Sequence, residues 1–213
     1  MDGKPYLVGI TGGSASGKTL FLKSLKEKFG PEEICFISQD DYYKPLDQQM
    51  RDENGEVNFD LPESVDLQRF HTDLLNLAAG KTIKKQSYNF NNPNEPVEWL
   101  DFKPAPIIII EGLFIFYYND IFDMLSLKLF VDADEDLKLK RRLQRDVTER
   151  NIPQDLVLYQ WQYHVQPAFQ KYLSPYREMA DIIILNNSHF TTSLQVVENH
   201  FKTLLADSKI QTG

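Results

Sequence analysis

Eight residues near the amino terminus constrain this chain more than any other stretch of it. Gly12, Gly13, Ser14, Ala15, Ser16, Gly17, Lys18 and Thr19 follow the pattern G-x-x-x-x-G-K-[ST]. They lie between an apolar run, Tyr6 to Ile10, and a helical pattern from about Lys18 to Phe29 that Gly30-Pro31 ends. Glycines in such a turn let backbone N–H groups point inward around phosphate oxygens. The N-terminus of the following helix adds partial positive charge. Lys18 is placed to reach the β- and γ-phosphates of ATP, and the Thr19 hydroxyl to ligate Mg²⁺. The motif therefore predicts a strand, a phosphate-holding turn and a helix.

The remaining pattern extends that unit into an α/β fold. Apolar runs at Ile34 to Ser38, Ile107 to Ile110, Leu127 to Val131 and Ile182 to Leu185 read as further strands. Ile107 to Ile110 is apolar at every position, as a strand buried on both faces requires. Helical patterns cover Asp66 to Ala79, Asp134 to Glu149, Pro153 to Tyr172 and Thr192 to Ala206. The expectation is a three-layer P-loop fold with a parallel five-stranded sheet, a β-hairpin and a helical lid, in one domain spanning residues 1–213. The hairpin insertion, about 82–102, comes from alternating stretches at Thr82 to Tyr88 and Val97 to Phe102. The lid falls at about 141–160. Asp40 to Pro62 is long, polar and without periodicity, which marks a functional loop.

Composition narrows the partners. The net charge of −8, from 31 acids against 23 bases, leaves no broad basic face for nucleic acid or an anionic membrane. Positive charge for a phosphorylated ligand must then be gathered locally. Cys35 is the one cysteine, in the apolar run Ile34-Cys35-Phe36-Ile37, and reads as a buried thiol. No apolar run approaches the ~18 residues of a membrane span, and Met1 to Pro5 carries no apolar signal segment. The expected address is the cytosol.

Acids at strand ends indicate the chemistry. Ligands of an open parallel sheet gather beyond the carboxyl ends of its strands. Glu111 directly follows Ile107 to Ile110 and suits an acid that holds Mg²⁺. Asp40, just past Ser38, suits the base that takes a proton from an attacking hydroxyl, with the metal as its other candidate partner. Downstream, Lys138, Lys140, Arg141, Arg142 and Arg145 cluster in an otherwise acidic chain, with Arg150 close by. On their own they could be a solvated helix face. After a phosphate-holding turn, Arg142, Arg145 and Arg150 become candidates for a lid closing over a triphosphate.

These residues resemble the uridine kinase family of P-loop kinases. The resemblance runs from Gly9 to about Leu185. It includes Ser38-Gln39-Asp40 with Tyr42-Tyr43, Asn58-Phe59-Asp60-Leu61-Pro62, Tyr88-x-Phe90, Glu111-Gly112, Arg141-Arg142-x-x-Arg145-Asp146, and Gln160 before Val165-x-Pro167-x-Phe169. It implies ATP-dependent phosphorylation of the 5′-hydroxyl of uridine or cytidine, with Asp40 as base and Lys18, Arg142 and Arg145 stabilising the transferring group. It further implies that Asp60 holds the ribose hydroxyls, that Tyr43, Phe59, Tyr88 and Phe90 wall the nucleoside pocket, and that Arg142, Arg150 and Gln160 line it from the lid. A homo-oligomer is suggested by the same resemblance.

The chain departs from the family at three places. Pro93 stands where a His is usual, Ile152 where an Arg is usual, and Leu185-Asn186-Asn187 replaces a Pro-Arg-Gly turn. The first two touch recognition of the base. Two other readings therefore stay open: a kinase of the same build acting on another small hydroxyl compound, and a nucleotide-binding regulatory module without turnover.

Overall fold

The computed structural model describes residues 4–88 and 98–211. Its elements in chain order are β1 (Tyr6–Thr11), α1 (Lys18–Lys26), β2 (Ile34–Ser38), α2 (Leu67–Ala78), β3 (Ile83–Gln86), β4 (Trp99–Phe102), β5 (Ile107–Glu111), α3 (Asn119–Phe122), β6 (Leu127–Asp132), α4 (Glu135–Thr148), α5 (Gln154–Gln160), α6 (Gln166–Ala168), α7 (Ser174–Arg177), β7 (Ile182–Leu185) and α8 (Thr191–Gln211). From α5 to α7 the helix is continuous. It widens into π turns at Trp161–Val165 and Phe169–Leu173.

Five parallel strands form the main sheet in the order β2-β5-β1-β6-β7. Alternation along β5 divides the core. Ile107 and Ile109 pack with Phe21, Leu25, Val197 and Phe201 from α1 and α8. Ile108 and Ile110 pack on the other face with Phe70, Leu74, Phe114 and Phe116. All four isoleucines are fully buried, each contributing about 1.5–3 kcal/mol by leaving water. This makes the expected three layers. The chain moves to opposite sides of β1 in its two halves, so the carboxyl end of β1 is the switch point where a ligand crevice opens.

The hairpin is separate from the main sheet, with β3 and β4 antiparallel and Ile83 opposite Phe102. Its connection, with Phe90, Asn91, Asn92 and Pro93, lies outside the described residues. Several boundaries differ from the sequence reading. Helix α1 stops at Lys26 because its last turn tightens, Lys28 N bonding Leu25 O at 2.9 Å. The expected helix at Pro153 to Tyr172 continues to Arg177, and α8 runs on to Gln211. The loop from Asp40 to Pro62 contains 3₁₀ turns at Gln39–Tyr42 and Leu46–Gln48, with a third beginning at Pro62. The Cys35 thiol is buried, and burial pushes its pKa up to about 11. No described helix is long and apolar enough to cross a membrane.

Candidate active site

The phosphate turn has the backbone its glycines predict. Gly17 sits at φ +99°, and a Cβ there would lie 2.0 Å from Asn186 Nδ2. A Cβ on Gly12 would lie 2.1 Å from the Val131 carbonyl oxygen. Both positions exclude any side chain. Ala15 also takes positive φ, at +60°, and Ser16 N closes the turn on Gly13 O at 3.1 Å. Ser16 Oγ is buried without a hydrogen-bond partner, so the turn retains an unused donor. Thr19 is exposed in the first turn of α1. These features fit a phosphate group.

Asn186 holds the turn from outside. Its Nδ2 donates to Ser16 O at 2.9 Å, its N–H donates to Asp132 O at 2.7 Å, and its own carbonyl accepts from Arg141 Nη2 at 2.9 Å. Asn187 and Asp134 exchange a reciprocal pair of bonds at 2.8 and 2.9 Å, tying the end of β7 to the start of α4. In the sequence this asparagine pair shows only as a departure from the family pattern. The doublet just past the last strand was the available signal.

Register on adjacent strands puts Ser38 opposite Glu111. The Ser38 hydroxyl donates a short hydrogen bond to Glu111 Oε1 and accepts from Asp40 N–H at 3.1 Å. Lys18 Nζ lies 3.8 Å from Glu111 Oε2. Asp40 is open to solvent at the cleft mouth, yet protein atoms crowd its carboxyl group. That crowding raises its pKa to about 6, helped by repulsion from Glu111 and opposed by Lys18. Among the described residues no group of three His, Cys, Asp or Glu forms a metal cage. The arrangement suits Mg²⁺, which is commonly held through one or two carboxylates and the substrate's phosphates.

The lid-candidate arginines converge. Arg142 Nη1 donates to Ser14 Oγ at 2.9 Å and Nη2 to Gln160 Oε1 at 3.2 Å, so the guanidinium bridges the phosphate turn and α5. Asp146, fully buried, collects three charges: Arg142 Nε at 3.2 Å, Arg145 Nε at 2.7 Å and Arg150 Nη1 at 3.3 Å. In the sequence Asp146 stands only as the last residue of Arg141-Arg142-x-x-Arg145-Asp146. Its spacing of four residues from both Arg142 and Arg150 was the signal for its role.

A group of aromatic rings lies near Asp40 and Asp60. The Tyr43 ring centroid lies 5.7 Å from Phe59, edge-on, and 5.7 Å from Tyr88. Burial drives the Tyr43 hydroxyl pKa well above its ordinary value, and the negative charges of Asp40 and Asp60 add to the rise. Asp60 is raised as well, by burial first, against the attraction of Arg142 and His164. Asp60 borders one hollow with Gly13, Ser14, Phe114, Val165 and Phe169. The phosphate turn and a half-buried carboxylate thus share a cavity, while Ile152 occupies the turn between α4 and α5, its N–H on Asp146 O at 3.0 Å.

The profile of the phosphoribulokinase / uridine kinase family matches residues 7–193. A uridine kinase of Clostridium tetani is 32% identical over 209 residues, covering 98% of this chain and 100% of that protein. Uridine-cytidine kinase B of Dictyostelium discoideum is 31% identical over 205 residues, covering 96% of this chain and 84% of its own length. In fold, the chain resembles D-glycerate 3-kinase from Cryptococcus neoformans, with a TM-score of 0.64 at 14% identity over 86% of each chain. It also resembles phosphoribulokinase from Rhodobacter spheroides, with a TM-score of 0.61 at 17% identity over 85% of this chain and 70% of that one.

Proposed function

Since this chain belongs to the phosphoribulokinase / uridine kinase family, we propose that it transfers the γ-phosphoryl group of ATP to the 5′-hydroxyl of a pyrimidine nucleoside, uridine or cytidine. The observation that carries the reading is the hollow bordered at once by Gly13 and Ser14 of the phosphate turn and by Asp60. Such a cavity can hold a ribose by its diol at Asp60 and present its 5′-hydroxyl to a donor phosphate on the turn. The aromatic faces of Tyr43, Phe59 and Tyr88 suit a flat base, and a carboxylate such as Asp60 accepts two hydrogen bonds from a ribose.

The backbone N–H groups of Gly12 to Thr19 cradle the phosphates. Lys18 and Arg142 reach the β- and γ-oxygens, and Arg145 and Arg150 reinforce that charge through Asp146. Thr19 and Glu111, with Asp40 beside them, would hold the magnesium ion that accompanies ATP, whose charge favours negative oxygens in the transition state. Asp40 accepts the proton of the acceptor hydroxyl and holds that oxygen in line.

The test is ADP release with Mg·ATP against uridine, cytidine, other nucleosides, pantothenate and ribulose 5-phosphate. Release that depends on uridine or cytidine is expected. Turnover with another acceptor and none with either pyrimidine would overturn the substrate while leaving the kinase. ATP binding without turnover across the panel would overturn the enzyme and leave a nucleotide-binding module.

A further inference from the structure

The segment from Met50 to Asn58 is a closed turn with one oxygen reaching out of it. Asn58 N bonds Met50 O at 2.9 Å, Asp52 N bonds Glu56 O at 2.9 Å, and Gly55 takes φ +82° at the tip. Oδ1 of Asp52 is used within the turn, accepting from the amides of Asn54 and Glu56, both at 2.9 Å. Oδ2 leaves the turn and meets the long helix, where it accepts from the Tyr159 hydroxyl at 2.7 Å and lies 2.7 Å from His164 Nε2. Asn54 Nδ2 donates to the Tyr159 oxygen at 2.7 Å.

This network sits apart from the transfer chemistry but next to the acceptor wall. His164 is only 3% exposed and lies on the first π turn, one residue before Val165, which borders the hollow of Asp60. From Asn58 the chain passes straight to Phe59 and Asp60, and Asn58 Oδ1 accepts the Asp60 N–H at 2.9 Å. Ser64 Oγ donates to Asn58 O at 2.9 Å, fixing the same residue from its other side. Hydrogen bonds and the short run of chain between Met50 and Asp52 therefore join the helix to the backbone of Asp60. The phosphate turn has other supports, Asn186 and Arg142.

We propose that Asp52, Tyr159 and His164 form a clasp that sets the position of Phe59 and Asp60, acting as positioning residues for the acceptor. This rests on the reading that those two residues bind it. The bonds to a carboxylate are charge-assisted, and His164 is out of solvent, so the clasp is stronger than an exposed pair. Because the donor half has separate supports, loss of the clasp weakens acceptor binding and leaves the binding of ATP alone intact.

Asp52→Ala, Tyr159→Phe and His164→Gln test this. Each is expected to raise the KM for uridine about tenfold, as a displaced binding group does, while the KM for ATP, taken at uridine well below its own KM, changes by less than about twofold. The Asp52→Ala/Tyr159→Phe double variant should lose clearly less than the two single losses combined, because both remove the bond at Asp52 Oδ2. Equal rises in both KM values, or additive losses, would overturn the positioning role. Hydrogen exchange gives a readout that needs no acceptor. Tyr159→Phe, which removes only a hydroxyl, should speed exchange at the Asn58 and Asp60 amides. Unchanged exchange there would overturn the clasp. Faster exchange in a protein whose wild type phosphorylates no pyrimidine would keep the clasp and remove the acceptor assignment.

Discussion

Asp40 must be ionised to accept a proton, yet its surroundings favour the protonated form, at a pKa of about 6. Activity is therefore lost as pH falls through about 6, not near the ordinary value of about 4. A profile of kcat/KM for Mg·ATP checks this, and an acid limb near 4 would contradict it. The same shift has the opposite sense for stability. A folded pKa above the unfolded one means that stability tied to this proton is present below about pH 4 and is lost as pH rises through about 6. Asp40→Asn should thus lower turnover by about 10²–10⁴-fold, leave ATP binding near wild type, and melt higher than wild type at neutral pH. Equal turnover would remove Asp40 from the chemistry. Lys18, Asp40 and Glu111 were legible in the sequence because each is fixed by its distance from one strand end. Asn186 was not, since its bond to Ser16 spans 170 residues and no local pattern encodes it.

Helix α4 is a charge-gathering element rather than a solvated basic face. Its buried anion, Asp146, holds Arg142, Arg145 and Arg150 together. Replacing that carboxylate by an amide leaves Arg142, itself 8% exposed, without its buried counter-charge. Asp146→Asn is expected to cost about 3 kcal/mol, read from the urea midpoint, and to raise the KM for ATP as Arg142 loosens from Ser14. A variant as stable as wild type would show that the three arginines find other partners. Element identity was readable where one pattern persists, as in the unbroken apolar run of β5 and the helical repeat of α2. It failed where the period changes or the element is short. The two π turns break the 3.6-residue repeat inside one helix, α3 has only four residues, and the 3₁₀ turns of the Asp40 to Pro62 loop carry no repeat at all.

At the scale of the whole molecule, two supports meet beyond the carboxyl end of the sheet. Beyond the end of β1, the donor side is fixed by β7 and α4 through Asn186 and Arg142. The acceptor side hangs on the long helix through Asp52. Arg142 also bonds Gln160 on that helix, one residue from Tyr159. A single helix is therefore gripped by both halves. Any shift of α5 that tightens Arg142 on a bound triphosphate also moves Tyr159, and with it the turn leading to Asp60. Linkage then makes the effect reciprocal: if a non-hydrolysable ATP analogue strengthens nucleoside binding by some factor, the nucleoside must strengthen analogue binding by the same factor. Calorimetry in both orders of addition would measure that factor, expected to exceed about fivefold in the wild type and to approach one in Asp52→Ala. The two substrates would thus sense each other's presence through one shared helix.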